Sequence, residues 1–209
     1  MTIDVLLSGF SPFDGAATNE SWEAVSVAAP QLRERGVTAV ELELPVEFGR
    51  AGELLAAAVR EHRPRLVLAT GLAAGRSGIT PERVAVNVRD ARIPDNAGAA
   101  PIDVPVVPGG PVGYFSTLPI KAMAASLAAD GIPGAVSQTA GTYVCNDVFY
   151  LLQHLLAEDP ELAGIRGGFV HVPPADAVDV PTAGRALAGM AEVALRTDVD
   201  VSLTGGAEH

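Results

Sequence analysis

The chain contains one cysteine, Cys145, set in Ser137-Gln138-Thr139-Ala140-Gly141-Thr142-Tyr143-Val144-Cys145-Asn146-Asp147. An apolar run breaks there at a small-residue turn and a long periodic apolar segment begins, which places the thiol at the start of a helix. Unpaired backbone N–H groups and the positive end of the helix dipole favour a thiolate at that position, and a lowered thiol pKa makes a nucleophile. A lone cysteine is otherwise a small buried hydrophobe, so the reading depends on finding a base.

Four histidines can be tested against that need. His154 lies nine residues after Cys145 on the same predicted helix, which carries it about 13 Å along the axis and onto the opposite face. His62, in Glu61-His62-Arg63-Pro64, reads as a cation at the negative end of a helix that stops before proline. His209 is the terminal residue. His171, in Gly167-Gly168-Phe169-Val170-His171-Val172-Pro173-Pro174, emerges near the carboxyl end of a predicted strand, the edge where open α/β sheets place their ligands. The competing reading of His171 is a core histidine donating to a backbone carbonyl, and its match to the expected place of the cysteine turn counts against that. Glu82, Asp90, Asp95 and Asp147 could each orient the imidazole, and spacing does not choose among them. Asp147, two residues beyond the thiol on a helix, points away and reads more simply as a dipole partner.

The elements that must position these groups follow an α/β rhythm. Short apolar runs at Ile3 to Ser8, Val37 to Leu44 and Leu66 to Thr70 alternate with helical segments at Ser21 to Arg35 and Phe48 to His62. Helices near Ile120 to Ala129, Tyr143 to Ala157 and Thr182 to Arg196 alternate with strands at Ala135 to Gln138 and Gly168 to Val172. The expected fold is a three-layer α/β/α sandwich with a central, mostly parallel or mixed sheet, in one domain spanning 1–209. Residues 90–118 form a long Gly- and Pro-rich excursion with a possible short strand, and 203–209 read as a mobile tail.

Composition narrows the function further. The net charge of −11 arises from 25 acidic and 14 basic residues scattered along the chain, with no basic cluster to follow a phosphate backbone, so nucleic acid is not an expected partner. A single cysteine excludes an internal disulfide, and no Cys/His pair has zinc spacing. The first residues lack a basic segment and a long apolar run, so neither export nor a membrane span is expected and a cytoplasmic location is. The glycine loop Thr70-Gly71-Leu72-Ala73-Ala74-Gly75-Arg76-Ser77-Gly78 lacks both the P-loop ending and the dinucleotide glycine spacing, and reads as a tight turn with close backbone approach.

Several segments together resemble the pyroglutamyl-peptidase I family, also called pyrrolidone-carboxylate peptidases. They are Ser8-Gly9-Phe10-Ser11-Pro12-Phe13-Asp14-Gly15 with Asn19 and Trp22, Ile79-Thr80-Pro81-Glu82-Arg83, Asp90-Ala91-Arg92-Ile93-Pro94-Asp95-Asn96, and the cysteine and histidine segments, in the family's order over nearly the whole chain. The resemblance implies a cytosolic cysteine peptidase without a cofactor, a homo-oligomer, tetramer or dimer, that removes N-terminal pyroglutamate from peptides. It also implies Glu82, Cys145 and His171 as the catalytic residues. Leu72 stands where the family typically has glutamine, Asp14 where it often has glycine, and Asp147 where histidine is common. Asp147 is therefore expected to raise the thiol pKa modestly.

Pyroglutamate is a compact neutral lactam, so its site should combine apolar faces with a few fixed polar partners. Resemblance assigns Phe10 and Phe13 to the faces, against a packing role beneath the first strand. Leu72 and the backbone near Gly71, Tyr143 and Val144 are candidate lactam contacts. Asn19 reads as a loop brace or helix cap as well as a pocket residue. Backbone N–H groups at the cysteine turn, aided by Arg92, would stabilise an oxyanion, although Arg92 could equally brace its own loop. Two rival readings are a non-catalytic lactam-binding descendant, suggested by the three departures, and a nucleoside-phosphorylase-like enzyme, which leaves the cysteine and histidine segments without a role.

Overall fold

The computed structural model describes residues 2–206. Strands β1 (Val5–Phe10), β2 (Ala39–Leu44), β3 (Leu66–Leu72) and the two-residue β4 (Thr80–Pro81) join a later strand, β7 (Arg166–Val172), in one sheet ordered β2-β1-β3-β7-β4. All its pairings are parallel except β4 against β7. Strands β5 (Val84–Val86) and β6 (Gly113–Phe115) make a separate antiparallel pair, so the excursion contains one short strand. Among the described residues there are also five α-helices, α1 (Glu20–Glu34), α2 (Arg50–His62), α3 (Ile120–Ala129), α4 (Val144–Glu158) and α5 (Val180–Arg196), and a 3-10 turn at Pro160–Leu162.

The central strands are buried along nearly their whole length, as strands covered on both faces must be. Side chains alternate across the sheet, so Val5, Leu7, Leu66 and Leu68 pack with α1, α3 and α5 on one face, while Leu6, Val67 and Phe169 pack with α2 and α4 on the other. This is the three-layer α/β/α arrangement with a mixed sheet.

The expected strand at Ala135 to Gln138 is absent. That stretch makes only isolated parallel bridges, Ile79 with Gly134 and Glu82 with Ser137. Pro133 and Gly134 stand immediately before it, and its neighbour β4 is too short to carry a ladder. It nonetheless covers the sheet edge, since Ser137 N–H donates to Pro81 O at 2.9 Å and Arg83 N–H to Ser137 O at 2.9 Å.

The chain after α5 is also tied down before the described residues end. Asp200 accepts from Lys121 N and Ala122 N at 3.0 and 2.9 Å, capping α3, whose own N-cap residue Pro119 has no side chain able to do so. Gly205 O accepts from Arg83 Nη2 at 2.8 Å and Gln138 Nε2 at 2.9 Å. The tail expected to be mobile is thus docked as far as Gly205, and residues 207–209, His209 among them, lie outside the described residues.

Candidate active site

Helix α4 begins at Val144, one residue before the cysteine, and its N-cap residue Tyr143 makes no side-chain cap. The first-turn N–H groups at Cys145 are therefore left without a capping side chain, as an anion-stabilising turn requires. Asn146, fully buried, fixes the turn from behind: its amide accepts from Val86 N–H at 2.9 Å and donates to Val86 O and Val88 O at 2.9 and 3.1 Å.

Gly71 makes room for the thiol. A Cβ on Gly71 would lie 2.7 Å from Cys145 Sγ and 2.9 Å from Phe169 Cζ. Gly71 is also the register partner of His171 across the parallel β3–β7 pair, and paired residues of adjacent strands point to the same face. The sulfur thus rests on the sheet position directly beside the imidazole. No hydrogen bond joins Sγ to His171 among the described residues, a spacing common before substrate draws such groups together.

His171 is buried and its Nδ1 stands 2.6 Å from Glu82 Oε1. The carboxylate accepts the Nδ1 proton, which leaves Nε2 as the basic nitrogen. Glu82 is delivered by β4: Thr80 and Pro81 pair with His171 and Val170, and Glu82 N–H donates to Phe169 O at 2.9 Å. Of the four carboxylates that spacing left open, Glu82 is the one at the imidazole. Asp90 is exposed. Asp95 accepts from Phe48 N at 2.8 Å and from Ala97 N and Ala99 N, organising its own loop.

A guanidinium does reach this cluster, but it belongs to Arg76. Arg76 Nη1 donates to Glu82 Oε1 at 2.5 Å and to Thr80 Oγ1, while Nη2 donates to Thr139 O at 2.8 Å. Arg92 is exposed and makes no hydrogen bond or ion pair among the described residues. Arg76 sits in the glycine loop after β3, where the sequence signals only a turn. Its sole clue is that it precedes Glu82 by six residues.

The electrostatics correct the expected thiolate. Burial pushes the Cys145 thiol up to about 12, with the Glu82 charge adding to the rise, and the opposing pull of Arg76 and the helix-start backbone is smaller. The residue as a whole is partly exposed, yet the sulfur faces Gly71 and Phe169, so desolvation outweighs the dipole. His171 is lowered from its ordinary value, chiefly by burial, against an upward pull from Glu82. The Arg76 charge at Glu82 Oε1 adds to the lowering. Both shifts favour the uncharged forms, thiol and imidazole, before substrate binds.

Asp147 does not act on the thiol as expected. It is fully buried, accepting from Gly49 N at 2.7 Å and from Arg89 Nε at 2.5 Å. The charges that move the thiol are Glu82 and Arg76. Asp147 instead secures the start of α2 and holds Arg89, whose guanidinium carbon lies 5.9 Å from the centre of the Phe48 ring.

Beside Cys145 opens a cavity of about 470 Å³ lined by Phe10, Phe13, Val46, Leu72, Tyr143 and Val144, with Ala16, Thr18, Asn19, Glu20, Ala74 and Pro174 completing the walls. Tyr143 packs between Phe13 and Phe48 at centroid distances of 5.6 and 5.2 Å and donates its hydroxyl to Pro94 O. Asn19 caps α1 through Ser21 N and donates to Ser11 O at 3.1 Å, so it braces the loop that presents Phe13. Asp14 in that loop has φ of +53°, a left-handed backbone in which glycine is easiest and aspartate is tolerated. Leu72 ends β3 and offers the cavity no amide. A larger groove of about 810 Å³ lies among α1, α3 and α5, but its lining includes neither Cys145 nor His171.

Residues 3–202 match the sequence model of the pyroglutamyl peptidase family. A pyrrolidone-carboxylate peptidase of Klebsiella pneumoniae (strain 342) is 50% identical over 98% of this chain and 99% of its own. One of Streptomyces coelicolor is 47% identical with the same coverage. The crystal structure of Bacillus amyloliquefaciens pyroglutamyl peptidase I superposes with a TM-score of 0.89 at 38% identity, covering 95% of this chain and 100% of that one. The pyrrolidone carboxyl peptidase of Pyrococcus furiosus gives 0.85 at 36% identity, covering 94% and 100%. With its thiol, imidazole and carboxylate gathered at the carboxyl edge of the sheet beside an apolar cavity, the chain belongs to the pyroglutamyl peptidase family.

Proposed function

We propose that this protein is a cysteine exopeptidase that hydrolyses the bond after an N-terminal pyroglutamyl residue, with Cys145 as nucleophile, His171 as proton carrier and Glu82 as its orienting acid. The observation that carries this reading is the sulfur seated on Gly71, beside an imidazole whose other nitrogen is held by Glu82. The lactam ring lies in the aromatic cavity, and the exocyclic carbonyl carbon of the scissile amide is at Sγ. As Sγ attacks, the thiol proton passes to His171 Nε2, so the charged pair forms only when substrate is present. The α4 first-turn N–H groups receive the developing oxyanion. The C–N bond breaks, His171 returns the proton to the leaving amine, and the shortened peptide departs. Water then gives a proton to His171 and attacks the thioester, releasing pyroglutamate and restoring the thiol.

Glu82 fixes the imidazole tautomer and stabilises the imidazolium, while Arg76 holds the Glu82 carboxylate in place. Phe10, Phe13, Tyr143 and Val144 grip the lactam faces, Asn19 braces the Phe13 loop, and Leu72 contributes apolar contact and main-chain groups only. Backbone polar groups near Gly71 and Tyr143 go unpaired when a proline ring lacks the lactam carbonyl, which gives selectivity. No cofactor enters this scheme. The exposed apolar side chains Ile102, Val104, Val112 and Phe115 of the excursion suit contact between copies of the chain, in a homo-oligomer. Among the described residues no helix is long and apolar enough to cross a membrane; a cytoplasmic location rests on the family resemblance.

The test is release of aminomethylcoumarin from its pyroglutamyl and prolyl conjugates. Turnover of the pyroglutamyl conjugate alone, lost after the single thiol is alkylated, is expected. Equal turnover of both, or none by folded protein under reducing conditions, would overturn the proposal.

A further inference from the structure

The cavity beside Cys145 is lined by apolar and neutral side chains with one exception, Glu20. Glu20 is the first residue of α1 and is partly exposed. A carboxylate in a first turn has an ordinary explanation as a dipole partner, but this one also lines the cavity beside Cys145. Its Oε1 accepts from Ala175 N at 3.4 Å, and Ala175 follows Pro174, itself a cavity wall. Ala175 lies four residues after His171 on the same chain segment. The lactam occupies the end formed by Phe10, Phe13 and Tyr143, and the leaving amine must meet the His171 proton. The peptide beyond the scissile bond therefore leaves past the Pro174–Ala175 turn, where Glu20 stands.

Among the described residues Glu20 makes no ion pair. Arg76 is engaged with Glu82 and Thr139. Asp14, in the loop presenting Phe13, adds to the negative field felt at Tyr143. Ala175 N at 3.4 Å is a long partner, leaving the carboxylate free to take a stronger donor.

We infer that Glu20 selects peptides whose residue after pyroglutamate carries a cationic side chain and disfavours those with an acidic one. This rests on the peptidase reading and names the substrate class within it. A partly exposed carboxylate gives a modest, salt-sensitive bias: about threefold to fivefold between cationic and neutral residues, and about tenfold between cationic and acidic ones at low ionic strength.

The experiment measures kcat/KM for pyroglutamyl-lysyl, pyroglutamyl-alanyl and pyroglutamyl-glutamyl amides, at low salt and near 1 M salt, with the wild type and Glu20→Gln. The order Lys > Ala > Glu at low salt, compressed toward equality both by salt and by Glu20→Gln, is expected. Equal values in the wild type at low salt, or an order that survives Glu20→Gln unchanged, would overturn the inference while leaving the peptidase reading intact. No turnover of any of the three would overturn both. Should Glu20→Gln fail to fold, the wild-type salt response decides alone, a salt-insensitive preference counting against Glu20.

Discussion

Gly71→Ala isolates the contact on which the site is built. A methyl group there would sit 2.7 Å from Cys145 Sγ, 2.9 Å from Phe169 Cζ and 3.2 Å from Phe169 Cε1. Comfortable separations between such atoms are about 3.5–4.0 Å, so the sulfur and the ring must together yield about 1 Å. Phe169 is buried against Phe149 and His171, with ring centroids 6.1 and 4.9 Å away, which leaves the thiol as the softer neighbour. Overpacking of this kind costs about 1–3 kcal/mol of stability, or roughly 2–12 °C in Tm for a chain of this size. A nucleophile displaced by about 1 Å loses on the order of 100-fold in rate. Since the Gly71 side-chain position faces the thiol and is not in the cavity lining, the loss should fall mainly on kcat, with a smaller rise in KM from the shifted backbone beside the lactam. The assay pairs steady-state kinetics on pyroglutamyl aminomethylcoumarin with thermal unfolding. A folded Gly71→Ala variant with kcat within threefold of wild type would refute the seating of the thiol on this glycine.

Further outcomes follow from the same geometry. Because burial lowers His171, the base stays neutral until the pH drops through a midpoint below 6.5; kcat/KM should therefore lose activity only on that acid side, and a limb centred above 7 would contradict it. Arg76→Met frees the Glu82 charge to favour the imidazolium, so the acid limb of the pH profile should move upward, and an unmoved limb would remove Arg76 from the scheme. With its thiol pushed up to about 12, the free enzyme should react with iodoacetamide at pH 7.5 more slowly than glutathione does, as followed by intact mass. Arg89→Met strands the buried Asp147 and should cost about 3–5 kcal/mol in denaturant unfolding; a loss under 1 kcal/mol would mean the pair is not holding α2.

The alternation of apolar runs and helical segments was enough to expect the α/β/α sandwich, because strands buried on both faces and their crossover helices leave strong periodic signals. The 135–138 stretch was misread because apolar β-rich composition cannot tell whether a neighbouring strand is long enough to pair with. His171 was legible from its place at a strand end, and Cys145 from the turn before its helix. Glu82 was not legible from spacing, since its approach depends on a two-residue antiparallel strand. Arg76 was missed altogether, as its role arises from a loop folding back onto Glu82. The thiol pKa was misjudged for a related reason. Sequence reveals the helix start, a local feature, but not the burial by Gly71 and Phe169 that outweighs it. Asp147 likewise read as a dipole partner with a modest pull on the thiol, because its true partner, Arg89, is 58 residues away in sequence.

The central claim is that the Cys145 sulfur forms the bond to the pyroglutamyl carbonyl. Its most direct test is coumarin release from the pyroglutamyl conjugate by Cys145→Ala, with the fold checked by circular dichroism and the wild type run alongside. The account predicts turnover by the wild type and none above background by the variant. Sustained release by folded Cys145→Ala at a rate near wild type would contradict it.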